Sequence, residues 1–112
     1  MAERTMAIFK KGEPAFNMMT DENRQQIIVM LCRGRQMTVN EITDQLKLSR
    51  PAVSHHLKLL LDAGLVTVTK KGTERYYTSH MDDALALMKD LVASLEEDIE
   101  IGRNKPSKAL FF

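Results

Sequence analysis

One glycine divides this chain by hydrophobic period. Before Gly64, apolar residues recur three and four apart, the spacing of helices with one buried stripe. After it, Leu65-Val66-Thr67-Val68-Thr69 alternates with a period of two. A glycine at such a switch supplies the left-handed residue that ends a helix. Arg75-Tyr76-Tyr77-Thr78 is aromatic and β-prone, and Lys70-Lys71-Gly72-Thr73-Glu74 reads as a polar turn between two strands. The result is a β-hairpin with a cationic tip.

The residues ahead of it carry two helix starts in quick succession. Thr38-Val39-Asn40-Glu41 is a capping box, and it opens a short helix over Val39–Leu46 with Ile42 and Leu46 turned inward. Only Lys47-Leu48 separate that helix from Ser49, a second cap. The next helix runs from Arg50 to about Asp62, with Pro51 tolerated in its first turn. Two short helices across so tight a turn form a helix-turn-helix. Upstream, Thr20 or Asp21 caps a helix over Asp21–Cys32 whose stripe is Ile27, Ile28 and Leu31, extended by Arg24, and Gly34 ends it. Pro14 suits a first turn leading into Ala15-Phe16-Asn17-Met18-Met19, with a separate short helix around Arg4–Lys10.

The last helix is predicted from about Met81 to Ile101. Met81, Leu85, Met88, Val92, Leu95 and Ile99 recur at spacings of 4, 3, 4, 3 and 4, a heptad seam. Ala84, Leu87 and Leu91 widen it, while Asp82, Asp83, Asp90, Glu96, Glu97 and Glu100 fall mostly outside it. So wide an apolar surface either closes on the rest of the chain or pairs with a second copy. The fold class is therefore mainly α with a β-hairpin (α+β), a winged helix-turn-helix. Its domain covers residues 1–104, and 105–112 form a tail. That tail, with its Ala109-Leu110-Phe111-Phe112 cluster, either stands free, docks on a partner subunit or forms a small binding element.

A formal charge of +1 hides a strong asymmetry. Residues 1–46 are neutral, 47–75 carry +4, 76–101 carry −6, and the remainder +3. Phosphate binding answers to the local field rather than to the total. The basic segment holds the helix Arg50–Asp62, of which Val53, Leu57, Leu60 and Leu61 form the inward side. Arg50, Pro51, Ser54, His55 and Lys58 share the opposite side, with Ser49 at its start. A guanidinium, a hydroxyl, an imidazole and an ammonium suit base edges in a major groove. Lys70, Lys71 and Arg75 on the hairpin would grip the flanking backbone. Double-stranded DNA is the expected partner.

These residues resemble a known family. Leu48-Ser49-Arg50-Pro51-Ala52-Val53-Ser54-His55-His56-Leu57-Lys58-Leu59-Leu60, followed by Asp62-Ala63-Gly64-Leu65-Val66, is similar to the ArsR-type winged-helix bacterial regulators. Lys71-Gly72-Thr73-Glu74-Arg75-Tyr76-Tyr77 resembles their wing, and Asp21-Glu22-Asn23-Arg24 their early helix. The likeness covers about residues 15–100, and Ser-His-His-Leu-Lys is its most specific part. It implies a homodimer joined by the first and last helices, through Phe16 and the seam Met81, Leu85, Met88, Val92, Leu95 and Ile99. It also implies repression from an imperfect palindrome. Lys47 departs from the family, which commonly has glycine in the turn.

The sensing motifs of many relatives are missing. Val39-Asn40-Glu41-Ile42-Thr43-Asp44-Gln45-Leu46 holds no thiolate, and Met81–Ile101 holds no histidine. No metal and no cofactor is expected. That leaves constitutive repression, or relief by an organic ligand or a partner protein. His55 and His56 point about 100° apart and do not chelate one ion. Cys32, alone in the chain, reads as a small hydrophobe at the end of a stripe. With no nucleophile–base set and no phosphate-cradling loop, an enzyme is not expected. The single cysteine, the lack of a membrane-length apolar run and a charged start without a signal peptide point to the cytoplasm. The alternative function is a protein-interaction module or antirepressor working through the acidic last helix.

Overall fold

The computed structural model describes residues 2–105. Among them are five helices and three strands: α1 (Ala2–Met18), α2 (Glu22–Gly34), β1 (Gln36–Thr38), α3 (Val39–Gln45), α4 (Arg50–Asp62), β2 (Val66–Lys71), β3 (Glu74–Ser79) and α5 (Asp82–Arg103). This is the α+β winged helix-turn-helix expected. They form two compact units, one of Pro14–Met81 and one of residues 2–13 with 82–105. Apart from Lys105, the predicted tail lies outside the described residues, and so does its apolar cluster.

In the unit Pro14–Met81 the core is drawn from α2, α3 and α4 and from the residue that leads into β2. Ile27 and Leu31 of α2, Ile42 of α3, Val53, Leu57 and Leu60 of α4, and Leu65 are all at most 2% exposed. Each such side chain contributes about 1.5–3 kcal/mol on burial. The capping box forms in full: Thr38 Oγ1 accepts from Glu41 N, and Thr38 N donates to Glu41 Oε1 at 2.9 Å. Ser49 Oγ accepts from Ala52 N at 3.3 Å and starts α4. Gly64, at φ 78°, closes that helix. Leu65 N donates to Leu60 O and Gly64 N to Leu61 O, both at 3.0 Å, which satisfies carbonyls the helix leaves free.

The sheet has three strands in the order β1-β3-β2, all neighbours antiparallel. β1 has no period-2 signal of its own. It exists because Gln36, Met37 and Thr38 pair with Thr78, Tyr77 and Tyr76 of β3, a partnership across some 40 residues. The polar turn is shorter than predicted. Lys71 pairs with Glu74, which leaves a loop of Gly72-Thr73, and Lys70 pairs with Arg75 within the ladder. Gly72 alone in that loop has a positive φ, 64°, the pattern of a type II′ hairpin.

Three expectations are corrected. The break at Pro14 does not occur: α1 is one helix with Pro14 inside it. Ala2, Thr5, Ile8, Gly12 and Ala15 lie buried along one side, so the stripe carries the helix through residues 11–13 and outweighs one missing amide donor. Gly34 ends α2 as expected, and the positive φ falls on Arg35, at 68°. Gly34 supplies room instead, since a Cβ there would sit 3.2 Å from Met37 Sδ. Cys32 is exposed, because the stripe of Ile27 and Leu31 turns away one residue before it. Leu61, assigned to the inward side of α4, is exposed as well. Lys47 needs no glycine, because Arg35, Gly64 and Gly72 are the described residues with positive φ.

In the other unit, the N-terminal part of α1 meets α5 through a polar knot. Ser94 Oγ donates to Thr5 Oγ1, which donates to Asp98 Oδ2 at 2.5 Å, and Arg4 pairs with Glu97 at 3.2 Å. Thr5 and Ser94 are buried. The stripe of α5 that turns inward is therefore Ala84, Leu87, Leu91, Ser94, Asp98 and Ile101, each buried or half-buried. The more apolar seam, one residue further round, is left outside: Leu85 is 46% exposed, Val92 58%, Leu95 38% and Ile99 54%. Met88 of that seam is half-buried, as are Met81, which precedes the helix, and Phe16 in α1.

Candidate nucleic-acid interface

Helix α4 is amphipathic along its whole length. Val53, Leu57 and Leu60 hold one side in the core, so the opposite side must face outward. Arg50, Pro51, Ser54, His55 and Lys58 are all exposed there, and Ser49 is exposed at the cap. His56 is half-buried one position round, its ring centroid 6.1 Å from that of His55. Its Nδ1 faces Arg24 Nη1 at 3.5 Å. Arg24 also donates from Nε to Met18 O at 3.2 Å and from Nη2 to Asn17 O at 3.4 Å. One side chain of α2 thus joins the carbonyl end of α1 to the flank of α4.

A groove of about 710 Å³ opens beside this outward face. Arg50, Ser54, Lys58 and Leu61 form one wall, and Arg75 and Tyr77 of β3 stand in the other. The cap Thr38 and the first residues of α3, Val39 and Asn40, add to it, while Asp62, Thr73 and Glu74 complete the lining. A guanidinium, a hydroxyl and an ammonium on one element therefore share a cleft with a guanidinium on another. Sequence reasoning found those four. It missed Leu61, Asn40 and the two acids, which carry no signal until the hairpin is placed against the helix.

The hairpin sorts its cations by face. Lys70 stands directly opposite Arg75, and β alternation puts both on the face of Val66, Val68 and Tyr77. Lys71 is on the other face, donating to Gln36 Oε1 at 3.2 Å, with its ammonium 5.3 Å from the Tyr76 ring centroid. Like charges paired across a ladder oppose folding, so the Lys70–Arg75 pair adds nothing to the stability of the hairpin. Tyr76 donates its hydroxyl to Glu74 at 3.0 Å; that bond and the charge of the carboxylate raise the Tyr76 pKa. Among the described residues Arg50, Lys70 and Arg75 have no carboxylate partner, whereas Lys58 pairs with Asp62 at 3.3 Å.

This cationic cleft between a helix-turn-helix and its wing can be compared with known proteins. A family model described as "Bacterial regulatory protein, arsR family" matches residues 21–68. The arsenical resistance operon repressor of Bacillus subtilis is 31% identical over 90 residues, which cover 80% of this chain and 86% of that one. The chain belongs to the arsR family. Another relative of this ArsR-family protein is the transcriptional repressor SdpR of Bacillus subtilis, 29% identical over 75% of this chain and 96% of its own. Among solved structures, the transcriptional regulator HlyU from Vibrio vulnificus superposes with a TM-score of 0.63 at 35% identity, covering 84% of this chain and 93% of that one. The ArsR-family protein is thus a DNA-binding transcriptional regulator with a winged helix-turn-helix. None of its described helices is long and apolar enough to cross a membrane.

Proposed function

We propose that this ArsR-family protein is a homodimeric transcriptional repressor. It places α4 in the major groove of a palindromic site, with the hairpin on the flanking backbone. Ser49, Arg50, Pro51, Ser54, His55 and Lys58 make the contacts from the helix, and Lys70, Lys71 and Arg75 those from the wing. The observation that carries this reading is the cleft in which Arg50, Ser54 and Lys58 share walls with Arg75. Arg50 is the residue suited to a guanine edge by bidentate bonding. The exposed stripe of Leu85, Val92, Leu95 and Ile99 supports pairing through α5, and Met81, Met88 and Phe16 are the remaining members of the proposed interface. Two relatives are named as repressors, which supports repression as the outcome of binding.

Two-fold pairing requires half-sites about 34 Å apart, one helical turn or a multiple of it. Control by metal is not part of the proposal: α3 has no cysteine and α5 no histidine. The deciding test is a mobility-shift titration on duplexes selected by the protein from a random pool, over a salt series. Each neutralised phosphate adds about 0.9 to the slope of log K against log salt. Arg50→Ala with Lys58→Ala is expected to weaken binding by at least tenfold, since a single good base contact accounts for about 1–3 kcal/mol. Binding indifferent to salt, or untouched by the double change, would rule the reading out.

A further inference from the structure

Asp62 stands where the helix gains nothing from a carboxylate. It is the last residue of α4, and the final turn is the negative end of the helix dipole. Its ion-pair partner Lys58 precedes it by four residues, the less favourable order for a helical pair. The two side chains are 72% and 62% exposed, so their pairing adds little to stability. Yet both line the groove with Arg50, Ser54 and Arg75. A carboxylate on the wall of a cleft that accepts a polyanion works against the attraction around it.

We propose that Asp62 is a specificity-determining residue, which biases the Lys58 ammonium towards base edges and away from phosphates. This rests on the DNA-facing reading of α4 given above. A phosphate that approaches Lys58 bears the repulsion of the carboxylate 3.3 Å from its Nζ. A guanine O6 or N7 is a neutral acceptor and is spared that repulsion. Lysine carries three N–H donors, so it can hold Asp62 and a base edge together. Non-specific complexes rest almost entirely on phosphate contacts and are the ones penalised.

The test compares the full-length protein with Asp62→Asn, and with Asp62→Ser as a second neutral replacement. Two duplexes are used: one of mixed sequence, and one selected by the wild-type protein from a random pool. Binding of the mixed duplex is expected to tighten by about threefold or more, with its salt slope steeper by about 0.9. The selected duplex gains less, so the ratio of the two affinities falls. In a Lys58→Gln background the same substitution leaves that ratio unchanged. Equal tightening on both duplexes, no tightening, or the same gain without Lys58 overturns the proposal. If the wild-type protein itself lacks salt-dependent binding, the DNA-facing reading of α4 fails first. If it binds and loses affinity on Arg50→Ala with Lys58→Ala while Asp62→Asn changes nothing, only the role of Asp62 falls.

Discussion

Single side chains set how the helices of the Pro14–Met81 unit are joined. Arg24 reaches two carbonyls at the end of α1 and the imidazole of His56, so it fixes a corner that its place on an apolar stripe does not suggest. Asp21, beside it, caps α2 by accepting from Arg24 N at 3.0 Å. That hydrogen bond, more than the nearby charges of Arg24 and His56, holds the Asp21 carboxyl below its ordinary pKa. A depressed carboxylate stabilises the fold above its unfolded pKa, and the stabilisation is lost as pH falls through the lower folded value. The window is therefore acidic, below about pH 4. Asp21→Asn keeps a capping oxygen but cannot titrate. Its stability relative to the wild type should rise between about pH 6 and pH 3, as read by thermal melts across that range. A constant difference would deny Asp21 this role.

The elements differ in how far they depend on their own residues. α3 is seven residues long, too short to persist alone, so its capping box bears heavily on the turn that follows. Thr38→Ala removes the hydroxyl that accepts from Glu41 N and should cost about 1 kcal/mol. In a chain of this size that lowers the melting temperature by roughly 4–8 °C. Calorimetry checks it; a shift under about 1 °C would mean that packing of Ile42 alone holds α3. The bounds of α4 were readable from Ser49 and Gly64, because a cap and a left-handed terminator act within one turn. β1 was not readable, since three residues with one buried side chain carry no pattern until β3 pairs with them.

At the level of the whole molecule the question is what covers α5. Two stripes with a seven-residue repeat run along this helix, one residue apart. The buried hydroxyls of Thr5 and Ser94, bonded to each other and onward to Asp98, assign the more polar stripe to α1. The apolar stripe stays in solvent within one chain, and a second copy is the occupant that the proposed dimer supplies. Val92 is its most exposed member. Leu85→Glu with Val92→Glu should convert a dimer to monomers in sedimentation velocity and, by uncoupling two half-sites, weaken binding to a palindrome far more than to a single half-site. A dimer that survives both changes would place the interface elsewhere.

The sequence by itself determined the caps of α3 and α4, the end of α4, the change of period at Gly64 and the outward face of α4 from Arg50 to Lys58. All of these arise from hydrogen bonds and side-chain spacing within three or four residues. Only the tertiary structure decided the rest. It carried α1 through Pro14, built β1, turned Leu61 outward, chose which stripe of α5 is buried and set Arg75 across from Arg50 with Asp62 in the lining. Those outcomes depend on which surfaces meet across tens of residues, and burial there outweighs the local preference of any one residue.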